Sequence, residues 1–216
     1  MLCYTANGLL SNRHFPRYEK GKNYRSFRKK DRQDMQNYRL ISILSSLYKI
    51  LKKLMYNRLL SFLKKHNALT NVQHGFMENK SSETASHSFR VCVQEVLDRH
   101  LQVVGIFIDL SKAYDIINHN ILHDKLDSYG VSGSSNMWFK SYLTNRTQFV
   151  EISQTDISNH TWHRHQSSLR VTAHGVPQGS ILGPLLFLVY MKDLPFNIQE
   201  AKLVLYADDT KYIRRW

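Results

Sequence analysis

Lys202-Leu-Val-Leu-Tyr-Ala-Asp-Asp-Thr-Lys-Tyr-Ile213 sets two short β-rich runs on either side of a polar tip. Branched and aromatic residues fill Lys202–Tyr206 and Thr210–Ile213, and Ala207-Asp208-Asp209 is short enough for a tight turn, so the stretch predicts a β-hairpin tipped by two adjacent carboxylates. Upstream, Gln102-Val-Val-Gly-Ile-Phe-Ile-Asp109 is a short apolar run ending on an acid, and it predicts a buried strand. Three acids thus stand at strand ends: Asp109, Asp208 and Asp209. Held together, such carboxylates repel by ~4 kcal/mol per close pair at an effective dielectric near 20. Divalent cations remove that cost. Magnesium prefers hard oxygen ligands, and two ions ~3.5–4 Å apart suit phosphoryl transfer, one lowering the pKa of an attacking hydroxyl and the other holding a triphosphate.

Helical spacing surrounds these strands. Leu47, Ile50, Leu51, Leu54 and Met55, continued by Phe62 and Leu63, predict an amphipathic helix over residues 46–66, with Lys52, Lys53, Arg58, Lys64 and Lys65 mostly off its core-facing stripe. Ala85, Phe89, Val93, Val96 and Leu97 predict a second helix over residues 82–99. Asn118 is placed to cap a helix carrying Ile121, Leu122 and Leu126, which Gly130 can close. A short helix over 137–143 and a strand over 148–152 follow, then a polar loop or hairpin over 153–170. His160, His163 and His165 lie there without a cysteine or carboxylate at ligand spacing, which argues against a metal centre. Residues 185–191 are almost wholly apolar and predict a buried helix.

The 216 residues hold 30 Lys and Arg against 17 Asp and Glu, a formal +13, and 42% are apolar, which excludes a wholly disordered chain. So positive a charge points to a polyanionic partner, nucleic acid ahead of an anionic membrane, because neutralised phosphates release their condensed counterions. Residues 1–36 carry nine of the cations and three of the acids with no sustained apolar period, and so predict a flexible basic arm. Cys3 and Cys92 make no disulfide framework, which favours a reducing compartment. The run from Ile181 to Met191, broken by Gly183 and Pro184, falls short of the roughly 20 residues that span a bilayer, and no signal peptide is visible.

In order and spacing, several strings resemble the reverse transcriptase domain of non-LTR retrotransposons (LINE elements), most of all the Jockey type. They run from Lys29-Lys30-Asp31 and Asn37-Tyr38-Arg39 through Gln73-His-Gly-Phe76, Phe107-Ile-Asp-Leu-Ser-Lys-Ala-Tyr-Asp115 and Trp138-Phe-Lys-Ser-Tyr-Leu143. Gly175-Val-Pro-Gln-Gly-Ser-Ile-Leu-Gly-Pro184 and Tyr206-Ala-Asp-Asp209 complete the series. The resemblance covers about residues 28–216. It implies an α+β right-hand polymerase fold, with an antiparallel palm sheet backed by helices. Residues 1–36 would be the arm, 37–101 and 118–170 the fingers, 102–117 and 171–216 the palm. The palm would be cut off after the acidic hairpin, leaving no thumb and no preceding endonuclease domain.

What the resemblance implies for function is RNA-directed DNA polymerisation with two magnesium ions, or manganese in their place. The partners would be an RNA template, a DNA primer and deoxynucleoside triphosphates, in a ribonucleoprotein of cytoplasm and nucleus that is not secreted and uses no membrane. Asp109, Asp208 and Asp209 would be catalytic and metal-binding, with the Leu110 carbonyl beside them. Tyr114 would exclude a 2′-hydroxyl. Gln178 would lie against the incoming base, Arg39 and Lys49 against its triphosphate, and Gly179 and Tyr206 along template and primer. Leu40 stands where the family usually has proline, and Met77 and Lys80 where it has arginine. A catalytically inactive truncated remnant that only binds nucleic acid is the alternative, and an RNA-templated RNA polymerase palm a weaker one, opposed by Tyr114. Without a thumb the chain is expected to bind strongly and polymerise weakly or not at all.

Overall fold

Period-two runs and helical stripes alternate along the chain, and they fold into two sheets and five α-helices in a computed structural model that describes residues 20–27, 38–43, 46–156, 161–198 and 200–215. The described residues divide into two compact units, one from the ranges 1–57 and 114–183 and the other from 58–113 and 184–216.

In the first unit, β1 (Lys20–Phe27) pairs antiparallel with β2 (Tyr38–Ile43) and parallel with β4 (Arg146–Asp156). β5 (Thr161–Gln166) and β6 (Arg170–Thr172) add antiparallel to β4. β1 falls inside the stretch read from sequence as a flexible basic arm. The ladders of β2 and β4 order it despite its weak apolar pattern, and the rest of residues 1–36, like His160, lies outside the described residues. The excursion over 153–170 is the β4–β5 hairpin, with His163 and His165 exposed. α3 (His119–Ser128) begins as expected at Asn118, whose side chain accepts from the Asn120 and Ile121 amides, and ends with the Gly130 amide donating to Asp127 and Val131 to Leu126. It packs on α4 (Gly133–Leu143), burying Leu122, Leu126, Trp138 and Phe139.

α1 (Ser46–Lys65) matches the expected helix in extent but not in face. Leu51, Met55, Leu59 and Leu63 are buried, yet Ile50 and Leu54 are exposed and Lys52 is fully buried. The stripe is turned by about one residue because the Lys52 ammonium lies 5.9 Å from the Tyr48 ring and 5.6 Å from the Tyr142 ring, where aromatic faces receive the cation.

The second unit is built on β3 (Val103–Asp109), β8 (Asp209–Arg215) and β7 (Lys202–Tyr206), in that order and antiparallel throughout. α2 (Ser82–Leu97) opens on a reciprocal Ser81–Thr84 capping box and lies on the sheet. Ala85, Phe89 and Cys92 of α2 pack there with Val103, Val204 and Ile213. α5 (Leu182–Met191) buries Leu185 through Val189, as its unbroken apolar run requires. β3 corrects the expectation of a buried strand: Val104, Ile106, Phe107 and Ile108 are 42–65% exposed. Among the described residues it is an edge strand paired only with β8, so an apolar run alone did not report its burial.

Candidate active site

Register brings the acids together. β7 and β8 close through the pair Tyr206–Asp209 around a two-residue turn, Ala207-Asp208, and Asp109 is the rung partner of Asp209. Directly opposed residues point to one face with Cβ atoms roughly 4.5–5.5 Å apart, so Asp109 and Asp209 are side-by-side carboxylates and Asp208 adjoins them through the backbone. The next rung on that face, Phe107 opposite Lys211, is fixed by α2: the Phe89 ring lies 5.4 Å from the Phe107 ring, and the Lys211 ammonium 5.4 Å from the Phe89 centroid. Asp109 and Asp209 are exposed, Asp208 half-buried, and none makes an ion pair among the described residues.

The donor chemistry suits a hard divalent cation: carboxylate oxygens with open access, the nearest cation on that face, Lys211, lying over the Phe89 ring. Among the described residues no three His, Cys, Asp or Glu side chains converge on one point. The ladder sets the backbone, and exposed aspartates exchange between staggered rotamers in picoseconds to nanoseconds, so convergence costs side-chain rotation and not refolding. Leu110 follows Asp109 half-buried, and Tyr206 is 38% exposed at the closing rung.

The turn itself is strained and braced. Ala207 has φ +54, a left-handed value that costs a residue with a Cβ about 1–2 kcal/mol. The fully buried Gln73 side chain brackets it: Oε1 accepts from the Ala207 amide at 2.9 Å and from the Gly75 amide at 2.7 Å, while Nε2 donates to the Ala207 carbonyl at 3.3 Å. Backbone bonds set residues 72–74 along the edge of β7, the Leu205 amide donating to Val72 at 2.9 Å and the His74 amide to Leu205 at 2.7 Å. Lys80 extends the brace, its ammonium donating to the Asn71 and Gln73 carbonyls, with burial holding its pKa below the usual lysine value. His74 meets the Thr84 hydroxyl at 2.8 Å; burial first, and the Lys80 charge second, lower its pKa. Lys80, at a position where the resemblance implies that arginine is common, therefore has a local bonding role.

Two of the remaining sequence-predicted residues meet in the first unit. The segment after Tyr114 and the segment before Gln178 interlock: the Val176 amide donates to the Tyr114 carbonyl and the Gly175 amide to Ile117, both at 2.8 Å. Gly175 is required there, since a Cβ would stand 2.8 Å from the Asp115 and Tyr114 carbonyl oxygens. His119 locks the join, its Nε2 2.7 Å from the Gly175 carbonyl, and burial above all lowers its pKa. Gln178 donates to both Asp115 carboxylate oxygens, at 3.2 and 3.3 Å, and its carbonyl accepts from the Ser42 amide of β2. Gly179 follows, exposed, and Tyr114 is half-buried. Lys49 is exposed on α1; Arg39 belongs to β2, its side chain outside the described residues.

Gln73, Gly75, Asp115 and His119 were not assigned roles from sequence. Gln73 and Gly75 sit inside a matched string, and that string was the available signal. Its partner Ala207 is 134 residues away, and only the fold reveals the contact.

Comparison with known proteins bears on the same segments. The reverse transcriptase (RNA-dependent DNA polymerase) family profile matches residues 27–213. The "Probable RNA-directed DNA polymerase from transposon BS" of Drosophila melanogaster is 32% identical over 83% of this chain and 19% of its own length. The RNA-directed DNA polymerase from mobile element jockey of the same organism is 29% identical over 99% of this chain and 23% of its own. The chain thus spans about a fifth of these curated relatives. Apo telomerase from Candida tropicalis, truncated from its C-terminal domain, superposes with a TM-score of 0.54 at 14% identity, covering 97% of this chain and 48% of that one, which supports a polymerase fold of mixed helices and largely antiparallel strands. On the profile match and the ordered strings, the chain belongs to the reverse transcriptase family, in the branch of Jockey-type non-LTR retrotransposons.

Proposed function

We propose that this chain is the catalytic portion of an RNA-directed DNA polymerase, which extends a primer 3′-hydroxyl with deoxynucleotides along an RNA template and releases pyrophosphate. One observation carries the reading: Asp109 and Asp209 are rung partners, with Asp208 in the adjoining turn. The ladder and its turn set three carboxylate-bearing residues side by side, and a divalent cation would offset the repulsion that arises when their side chains turn to one point. Asp109, Asp208, Asp209 and the Leu110 carbonyl would hold magnesium or manganese, one ion or two. When bound, the cations acidify the attacking hydroxyl and neutralise the leaving pyrophosphate.

The chain's own residues do the rest. The Tyr114 ring fills the space a 2′-hydroxyl would need and so selects deoxynucleotides. Asp115 fixes the Gln178 amide, which aligns the incoming base, and Arg39 and Lys49 neutralise the triphosphate. Gly179 and Tyr206 border template and primer. Residues 37–101 and 118–170 act as fingers, 102–117 and 171–216 as palm, in a ribonucleoprotein of cytoplasm and nucleus.

The test is primer extension on an RNA template with deoxynucleotides and magnesium, comparing the chain with Asp208→Asn. Extension by the unaltered chain that disappears in the variant supports the enzyme. Salt-sensitive RNA binding equal in both, with extension by neither, refutes it for this chain.

A further inference from the structure

The contact between Gln73 and Ala207 is the one the polymerase reading leaves unused. Every polar atom of that side-chain amide has its partner. Oε1 takes two amide hydrogens and Nε2 gives one to a carbonyl. The reverse orientation would set the amide's NH2 against two N–H donors, so the network admits one orientation alone. Both peptide groups of Ala207 are thereby held, which fixes φ and ψ at the residue that aims Asp208. The left-handed value of +54 is one alanine rarely adopts unaided.

We propose that Gln73 is the positioning residue of the acidic turn: by clamping Ala207 it directs Asp208 toward Asp109 and Asp209, and so sets the divalent-cation affinity of the three carboxylates. This rests on the reading that those carboxylates bind cations. Gly75 serves the same clamp, since a Cβ there would lie 2.2 Å from the Ala207 nitrogen. The bare glycine lets residues 73–75 close on the turn, and Lys80 holds the segment from behind through the Gln73 carbonyl.

The experiment titrates the full chain with Mn2+, free ion being read by electron paramagnetic resonance. It compares the unaltered chain, Asp208→Asn, Gln73→Met, and Gln73→Met combined with Ala207→Gly. Gln73→Met keeps the side-chain length and removes all three hydrogen bonds. It is expected to weaken Mn2+ binding roughly 10- to 100-fold, the range seen when partners behind metal ligands are removed. Adding Ala207→Gly is expected to recover much of that loss, because glycine adopts the left-handed turn without a clamp. Unchanged affinity in a folded Gln73→Met overturns the proposal and leaves the polymerase reading standing. Absence of Mn2+ binding in the unaltered chain, or equal binding in Asp208→Asn, overturns the reading beneath it and the proposal with it. Amide hydrogen exchange in the unaltered chain is a test needing no variant. The Ala207 amide is expected to be protected like the β7 and β8 amides, and exchange at the rate of an open loop overturns the clamp.

Discussion

Replacing Gly75 with alanine adds one methyl group at the tightest approach in the acidic hairpin. That carbon would lie 2.2 Å from the Ala207 nitrogen, 2.8 Å from its Cα and 3.0 Å from its Cβ. The obstacle is backbone, so no side chain can swing aside. Restoring ordinary contact, roughly 3.5 Å, displaces the turn by roughly 1 Å. Overpacking of this kind costs about 1–3 kcal/mol, and stretching the Gln73 bonds to Ala207 adds about 1 kcal/mol for each one lost. A total near 2–4 kcal/mol lowers the melting midpoint of a chain this size by roughly 5–15 °C. The comparison is Gly105→Ala in β3, where the new carbon meets nothing nearer than Phe107 Cε2 at 3.6 Å. That variant is expected within about 0.5 kcal/mol of the unaltered chain. Circular dichroism melts and urea titrations of the three proteins decide the matter. A Gly75→Ala midpoint within about 2 °C of the unaltered chain would mean that residues 73–75 do not press on the turn, refuting the reasoning.

Acidification should destabilise the fold through His74 and His119, whose folded pKa values lie below the ordinary histidine value of about 6.5. The unfolded chain then binds more protons in the window below about pH 6.5, so stability is full above it and falls as pH drops toward the folded values. Urea midpoints from pH 7.5 to 5 check this; a double His74→Asn, His119→Asn variant that keeps the same slope would show that other groups cause it. Tyr114→Ala should let ribonucleotides be incorporated in the extension assay, and unchanged sugar selectivity would remove Tyr114 from that role.

Local rules made much of this legible. The hairpin could be read because its strand residues and its turn are contiguous, and the α3 cap because Asn118 bonds amides two and three residues ahead. What escaped the sequence depends on partners far along the chain. Lys52 is buried beneath Tyr142, ninety residues away, so a stripe drawn by hydropathy alone placed Ile50 and Leu54 inside instead. For β3, an apolar run specifies a strand but carries no information on whether a neighbour covers it. Within the acidic site, the three aspartates were legible as a set, whereas Gln73 was a matched letter without a role until the fold set it against Ala207.

The exposed β3 bears on how this chain behaves in solution. Among the described residues its outer edge pairs with no strand beside Ile106, Phe107 and Ile108, which is a template for strand addition between copies. The formal charge of +13 opposes that encounter by repulsion between chains. Salt shortens the reach of the repulsion to about 8 Å at physiological ionic strength while leaving the apolar attraction intact. Colloidal stability of the free chain therefore depends on ionic strength in the sense opposite to what salting-in of a basic protein would suggest, and any bound polyanion, by cancelling the same charge, would remove the guard on that edge.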